Sequence, residues 1–301
     1  MPNTQQPRTT DVLTLLAAAT FASTAAPFMA AAAAPSLGIA FWRNGFAAII
    51  LLFLVRKHLP ALRALDRTQL RDLAVSGALL GVHFACWVPS VKLTSVAAAA
   101  SLVSTQVVWA ALFERLSGHR APRLQFIGIA VTLLGVLWLT GVDFALSPDA
   151  LKGDALALGG AIAAAAYMHI GQRVRPHVSL TAYTAVLYTM ASLTLLVVTL
   201  AAGVELSGYE PQAWMYIGAV TLFAQFGGHS LYNRALQVFS ATAISNVILL
   251  QVPIGSAIAW LLLDQTPAPI LIPAAVLIIV GVVLVIRASR RPTVDLDAQL
   301  D

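Results

Sequence analysis

Ten apolar runs, each about as long as a bilayer is thick, leave this chain few ways to fold. They lie at about 12–33, 38–55, 73–91, 96–114, 124–141, 154–172, 181–202, 213–235, 241–263 and 269–287. Crossing hydrocarbon takes a helix of roughly 17 to 25 apolar residues, whereas a barrel strand needs only about ten in alternation. In lipid every backbone N–H and C=O must be satisfied within the protein, so runs of this length specify helices. The predicted fold is an all-α polytopic membrane protein with ten transmembrane helices. Composition agrees: 59% of the 301 residues are hydrophobic and 10% are charged, far from soluble domains.

The net charge of +5 would suit a nucleic-acid partner, but its distribution points elsewhere. If the N-terminus is cytoplasmic, one side receives Arg8, Arg56, Lys57, Arg63, Arg67, Arg71, Arg115, Arg120, Arg123, Arg173, Arg175, Arg234, Arg287, Arg290 and Arg291. The other side receives Lys92 and Lys152, and Arg43 stays within a span. That asymmetry is the positive-inside signature of a multi-pass protein of the cytoplasmic membrane, with both termini cytoplasmic and no nucleic acid bound. MAAAAAPS at 29–36 looks like a signal-peptide cleavage site, but cleavage would leave nine spans and spoil the symmetry below. The one cysteine, Cys86, lies within the third run; it has no disulfide partner and no metal-ligand spacing, and reads as a small packing residue.

Sliding the chain against itself at an offset of 146 residues superposes GVHFACW, 81–87, on GGHSLYN, 227–233. Gly81 meets Gly227, His83 meets His229, Val107 meets Pro253 and Gly135 meets Gly281. Slips of one and three residues add Pro122 on Pro267, His119 on Asp264, Asp11 on Asp154 and Ser36 on Ser179. Five spans per half is an odd number, so the second half enters the membrane from the opposite side. The expected organisation is two inverted five-helix repeats, 12–141 and 154–287, joined by an extracytoplasmic linker at 142–153 and flanked by cytoplasmic tails at 1–11 and 288–301. Inverted repeats of this kind place a substrate site at mid-depth on their interface.

Third and fourth neighbours on a helix share a face. Gln225, His229, Tyr232 and Asn233 therefore form one polar stripe, and His83, Trp87 and Ser90 form its counterpart. Such residues are costly against lipid and line a bundle interior or a cavity. Interhelical hydrogen bonding is the plainer reading of one stripe; two related by the repeat favour a cavity. Trp42, Trp87, Trp109 and Tyr232 are candidates for its wall, and Gln106, Asn246 and Gln251 supply further donors and acceptors. Gly81 and Gly227 allow close backbone approach, and Pro89, Pro253 and Pro273 can bend a helix.

WVPSVKLTSVAAAASLVSTQVVWAALFERLSGHR, 87–120, resembles the third and fourth spans of the EamA family, within the drug/metabolite transporter superfamily. YNRALQVFSATAISNVILLQVPIGSAIAWLLLDQ, 232–265, resembles the matching part of its second repeat, and FWRNGFAAIILL, 41–52, its second span with an arginine. The resemblance covers roughly 12–287 and implies a transporter that exports, or in some members imports, amino acids, drugs or other small metabolites. Where the family often has a mid-span proline and a following glutamate, this chain has Val107 and His119; the second half has Pro253 and Asp264.

Asp11, Glu114, Asp143, Asp154, Glu205 and Asp264 all fall at or near span ends, so no proton relay through a mid-depth carboxylate is expected. Uncoupled transport or exchange, or coupling through His83 and His229, remains. Arg43 lies well inside a span with no mid-span acid to pair with. It either snorkels to the surface or binds a substrate carboxylate through paired hydrogen bonds. The expectation is a secondary transporter of small metabolites, an exporter of amino acids or related compounds. Its substrate residues are Arg43, His83, Trp87, Gln106, His229, Tyr232, Asn233 and Asn246, and Gly81, Pro89, Gly227 and Pro253 serve hinging or packing. No cofactor or metal is expected, and oligomeric state is left open. Efflux of lipophilic cations is the alternative; an intramembrane enzyme or sensor lacks a carboxylate or metal to orient its histidines.

Overall fold

Several of the long helices begin at a side chain that caps them. In a computed structural model that describes residues 8–94, 96–119, 121–140, 147–264, 266 and 269–289, the helices are α1 (Thr9–Ala22), α2 (Ala25–Ala31), α3 (Ser36–Leu54), the short α4 (Leu59–Arg63), α5 (Arg67–Leu93), α6 (Val96–Ser104), α7 (Gln106–Leu116) and α8 (Arg123–Thr140). There follow α9 (Pro148–Val174), α10 (Leu180–Ala201), α11 (Pro211–Ala219), a π-helical segment (Val220–His229), α12 (Ser230–Ala235), α13 (Ala241–Ile248), α14 (Gln251–Leu263) and α15 (Leu271–Ser289). Arg120, Asp143, Pro267, Arg290 and Arg291, with parts of both predicted tails and of the 142–153 linker, lie outside the described residues. Asp66 and Gln69 form a reciprocal capping box at the start of α5. Ser147, Ser179 and Ser240 cap α9, α10 and α13 by accepting from the third residue beyond.

No strand occurs among the described residues. Among the described residues seven helices are long and apolar enough to cross a membrane, starting at Thr9, Ser36, Arg67, Pro148, Leu180, Ala241 and Leu271, and Arg123–Trp138 is a shorter apolar one. The predicted runs at 96–114 and 213–235 are helical as well, but in pieces. Large apolar side chains stand exposed along one stripe of the outer helices, such as Leu193, Val197 and Leu200 on α10 and Ile272, Val276, Ile279 and Val283 on α15. That spacing is a lipid-facing surface.

Three breaks have local causes. Between α1 and α2, Ser23 Oγ donates to the Ala19 carbonyl at 2.6 Å and Thr24 Oγ1 to Phe21 at 2.7 Å. Between α6 and α7, Ser104 Oγ donates to Ala100 at 2.7 Å and Thr105 Oγ1 to Leu102 at 2.6 Å. A hydroxyl that occupies a helix carbonyl competes with the backbone ladder and bends it. Between α13 and α14 the turn is at Leu249–Leu250, and Pro253 follows in the first turn of α14 without an N–H to give. Ser104 and Leu250 are equivalent under the 146-residue repeat, so both halves break at one place, the first without a proline. Pro89, by contrast, leaves α5 unbroken through Leu93.

Packing follows the repeat. The α5–α9 contact of one half with the other has its counterpart in α1 against the π segment and α12, and α3 packs on α10, α7 on α13 and α8 on α15. Glycines set several of these distances. A Cβ at Gly81 would lie 2.7 Å from Thr194 Cβ on α10, and one at Gly227 would lie 2.8 Å from the Phe21 ring on α1. Along α8–α15 a Cβ at Gly281 would meet Thr132 and come within 2.6 Å of the Gly128 carbonyl oxygen.

Gly281→Leu is expected to part α8 from α15 and to lower stability by about 1–3 kcal/mol or more, read as a lower melting temperature in detergent. Gly218→Ala, where nothing lies within 4 Å, is expected to leave it unchanged.

Candidate functional site

Arg43 and Arg175 are the largest fully buried side chains among the described residues, each at 1% exposure, so Arg43 does not snorkel. Its position on α3, facing α10 and the π segment, decides its partners. Nε donates to Gln225 Oε1 at 2.9 Å, and the guanidinium carbon lies 4.7 Å from the centre of the Phe84 ring on α5. Gln225 Nε2 donates in turn to Asn44 Oδ1 at 2.9 Å, and Asn44 Nδ2 to the Ala40 carbonyl at 2.8 Å. Arg43 Nη2 is buried with no hydrogen-bond partner, and no carboxylate pairs with Arg43 among the described residues.

The π geometry matters here. Ser230 N–H reaches back five residues to the Gln225 carbonyl, widening the turn around Gly227 and Gly228. That carbonyl also accepts from Ser230 Oγ at 3.2 Å and from Tyr188 OH at 3.3 Å, while Tyr188 OH and Ser230 Oγ lie 2.9 Å apart. One side of the widened turn thus faces Arg43 and Tyr188, and the other carries His229.

Phe84 is the centre of a ring of contacts. His229 meets it edge-on at 5.4 Å and His83 lies 5.0 Å away, tilted. His83 stacks on Trp87 at 6.1 Å and 2°, and Tyr232 stands perpendicular to His229 at 6.3 Å. His83 Nδ1 lies 2.9 Å from the Gly160 carbonyl oxygen on α9, so in the tautomer with hydrogen on Nδ1 it is a donor there. His229 Nδ1 is buried and unpartnered. The Tyr232 hydroxyl accepts from Gln251 Nε2 at 3.2 Å. Arg43, His83, Trp87, His229 and Tyr232, expected from sequence, therefore share one buried neighbourhood.

The other expected residues are placed differently. Asn233 donates to the His229 carbonyl at 2.8 Å, leaving its Oδ1 unpartnered, and its own carbonyl accepts from the buried Arg175 at 2.8 Å. Gln106 and Asn246 form a second polar group on α7 and α13. Gln106 Nε2 donates to Ser245 Oγ at 3.0 Å, whereas both amide atoms of the fully buried Asn246 lack partners. Trp42 leaves the centre altogether: its Nε1 donates to the Leu206 carbonyl at 2.7 Å, in a cluster with Phe46, Trp214 and Tyr209. Burial and Glu205 push the Tyr209 phenol up.

Sequence reasoning passed over Phe84, Asn44, Tyr188 and Ser230 as site residues. Asn44 and Tyr188, polar groups inside apolar runs, carried the same signal as His83. Phe84 carried none, since a phenylalanine in such a run is ordinary. The arrangement is a buried cluster of polar and aromatic groups with one positive charge and several unused hydrogen-bonding atoms. Among the described residues no group of three or more His, Cys, Asp or Glu side chains could hold a metal.

A family model described as the EamA-like transporter family matches residues 9–141 and 151–287. No curated protein matches the chain. A crystal structure is similar at a TM-score of 0.76 and 16% identity, over 94% of this chain and 98% of its own; at that identity the likeness shows the fold alone.

Gln225→Leu is expected to strip Arg43 Nε and Asn44 Oδ1 of their partners, at about 1–3 kcal/mol for each buried group left unsatisfied. The check is thermal unfolding of the purified variant, whose loss should exceed that of Ser256→Ala on α14.

Proposed function

The chain belongs to the EamA-like transporter family, and from that premise we propose that it is a secondary transporter of small carboxylate-bearing metabolites, an exporter of amino acids or related compounds. Arg43 carries this reading. Its guanidinium is held by Gln225 and Phe84 but has one buried nitrogen with no partner. A buried cation without a counter-ion is costly, and a substrate carboxylate meets the need through charge-assisted hydrogen bonds. His229 Nδ1, Asn233 Oδ1 and the Asn246 amide offer further polar contacts, and Trp87, Phe84 and Tyr232 give apolar or cationic groups a surface.

The topology proposed with it is ten spans in two inverted repeats, with substrate bound at their interface and both termini cytoplasmic. The matched interfaces and the equivalent breaks at Ser104 and Leu250 support two repeats with opposite orientation. The arginine bias supports the direction. Alternating access then amounts to rocking of these halves around the Arg43 chamber.

A ligand that binds only the folded state raises the melting temperature. Detergent-purified protein is expected to be stabilised by amino acids or organic acids, and not by their amides. Arg43→Gln and His229→Ala are expected to lose the shift. Gln225→Glu, which supplies the missing carboxylate from the protein itself and keeps an acceptor for Arg43 Nε but no donor for Asn44 Oδ1, should lose it too. Stabilisation by lipophilic cations alone, untouched by Arg43→Gln, would replace this reading with cation efflux. Reporters fused at the C-terminus should be active in the cytoplasm only.

A further inference from the structure

α13 and α14 are the halves of one predicted span, yet they are packed very differently. Every residue of α13 from Ala241 to Val247 is buried, against α7, α9, α15 and α1. Between Gln251 and Ala259 of α14 only Pro253 is buried, and the others are half-exposed whichever way they point. A helix in a bundle shows one face to lipid; one that is half-exposed on all faces has open space on its inner side as well. The molecule is thus tightly packed around α13, toward the arginine-bearing helix ends, and more loosely packed around α14.

The closed end must solve a backbone problem. α13 starts inside the bundle with three N–H groups, those of Ala241, Thr242 and Ala243, that no preceding turn can accept. Ser240 takes one of them: its Oγ accepts from Ala243 N–H at 3.2 Å, while its carbonyl accepts the first ordinary helical bond, from Ile244 N–H at 3.1 Å. The other two are taken by neighbouring helices. Gln172 Oε1 on α9 accepts from Ala241 N–H at 2.7 Å, and Glu114 Oε1 on α7 accepts from Thr242 N–H at 3.0 Å. Glu114 is 8% exposed and, among the described residues, forms no salt bridge. A carboxylate is well placed there, because a helix N-terminus carries partial positive charge.

We propose that Glu114 and Gln172 are positioning residues of a gate, latching the N-terminus of α13 shut at the arginine-rich end while the path to the Arg43 chamber stays open beside α14. The proposal rests on the transporter reading above. Moving α13 away from α7 and α9 frees two N–H groups and a carboxylate together, and only water can replace what they lose. Opening the gate and wetting it are one event, so the latch holds while the end is dry and releases cooperatively.

The test uses the full-length protein in oriented membrane vesicles, with Cys86→Ser as background and a membrane-impermeant maleimide as the probe. Two near-isosteric reporters are Ser245→Cys on α13 and Ser256→Cys on α14. Ser256→Cys is expected to label from the face opposite the arginines, and Ser245→Cys from neither face. Adding Glu114→Ala should expose Ser245→Cys to the arginine-rich face, raising its labelling rate about tenfold, as expected when one charge-assisted bond is removed from a two-state equilibrium. Glu114→Gln keeps an acceptor oxygen and should stay protected, an outcome a merely space-filling residue would not give. If Glu114→Ala does not fold, Gln172→Ala carries the same comparison. Unchanged protection of Ser245→Cys in the folded alanine variant, or equal labelling of the Gln and Ala variants, would overturn the latch. Labelling is read without substrate, so a failed carboxylate screen leaves the gate result standing, and a failed gate leaves the screen intact.

Discussion

Inside hydrocarbon a backbone N–H or C=O has no water to fall back on, so each place where a helix stops or breaks within the bundle has to be satisfied by the protein itself. Much of this architecture follows from that requirement. The hydroxyls of Ser23, Thr24, Ser104 and Thr105 occupy carbonyls at two of the breaks. The π segment folds its freed carbonyl at Gln225 back onto Ser230 and Tyr188. α13 borrows acceptors from α7 and α9. The polar groups in the interior are therefore of two kinds, those that repair backbone and those left with unpartnered hydrogen-bonding atoms.

Arg43 stands between the two. Its Nε is used for structure, through Gln225, and so is its flat face, against Phe84. A guanidinium suits this double role, because its planar fork offers donors in fixed directions and can stack at the same time; a lysine could not be held so rigidly with a donor to spare. Replacing water around a ligand with such fixed groups keeps the reorganisation needed on binding small. Gln225 is central for the same reason, since it joins α3 to the π segment and orients both Arg43 and Asn44.

The membrane class and the helical content were legible because they rest on local chemistry, the length of the apolar runs; α5 and α9 begin ahead of their runs, at the caps Asp66 and Ser147, which run length does not register. The neighbourhood of Arg43, His83, Trp87, His229 and Tyr232 was legible through the internal repeat, which tied positions far apart in the chain to one depth. Other features depend on packing that periodicity does not encode. Trp42 lies beside Arg43 in sequence, yet it turns to the Leu206 carbonyl. Phe84 is one aromatic residue among many until Arg43 and two histidines are seen around it. Reading breaks from prolines alone also misled, since Pro89 breaks nothing and the Ser104–Thr105 pair breaks a helix without one. Glu114 was placed at a span end by counting residues. Its burial depends on α13, which the sequence leaves more than a hundred positions away.

At the first of the two equivalent breaks the hydroxyls of Ser104 and Thr105 compete for carbonyls that the backbone could reclaim by a change of side-chain rotamer. At the second, Pro253 has no amide hydrogen to return, so the bond it would have made is absent whatever its neighbours do. A pair of repeats so matched in layout is thus unlike at this joint, one half held by side-chain hydroxyls and the other by a proline.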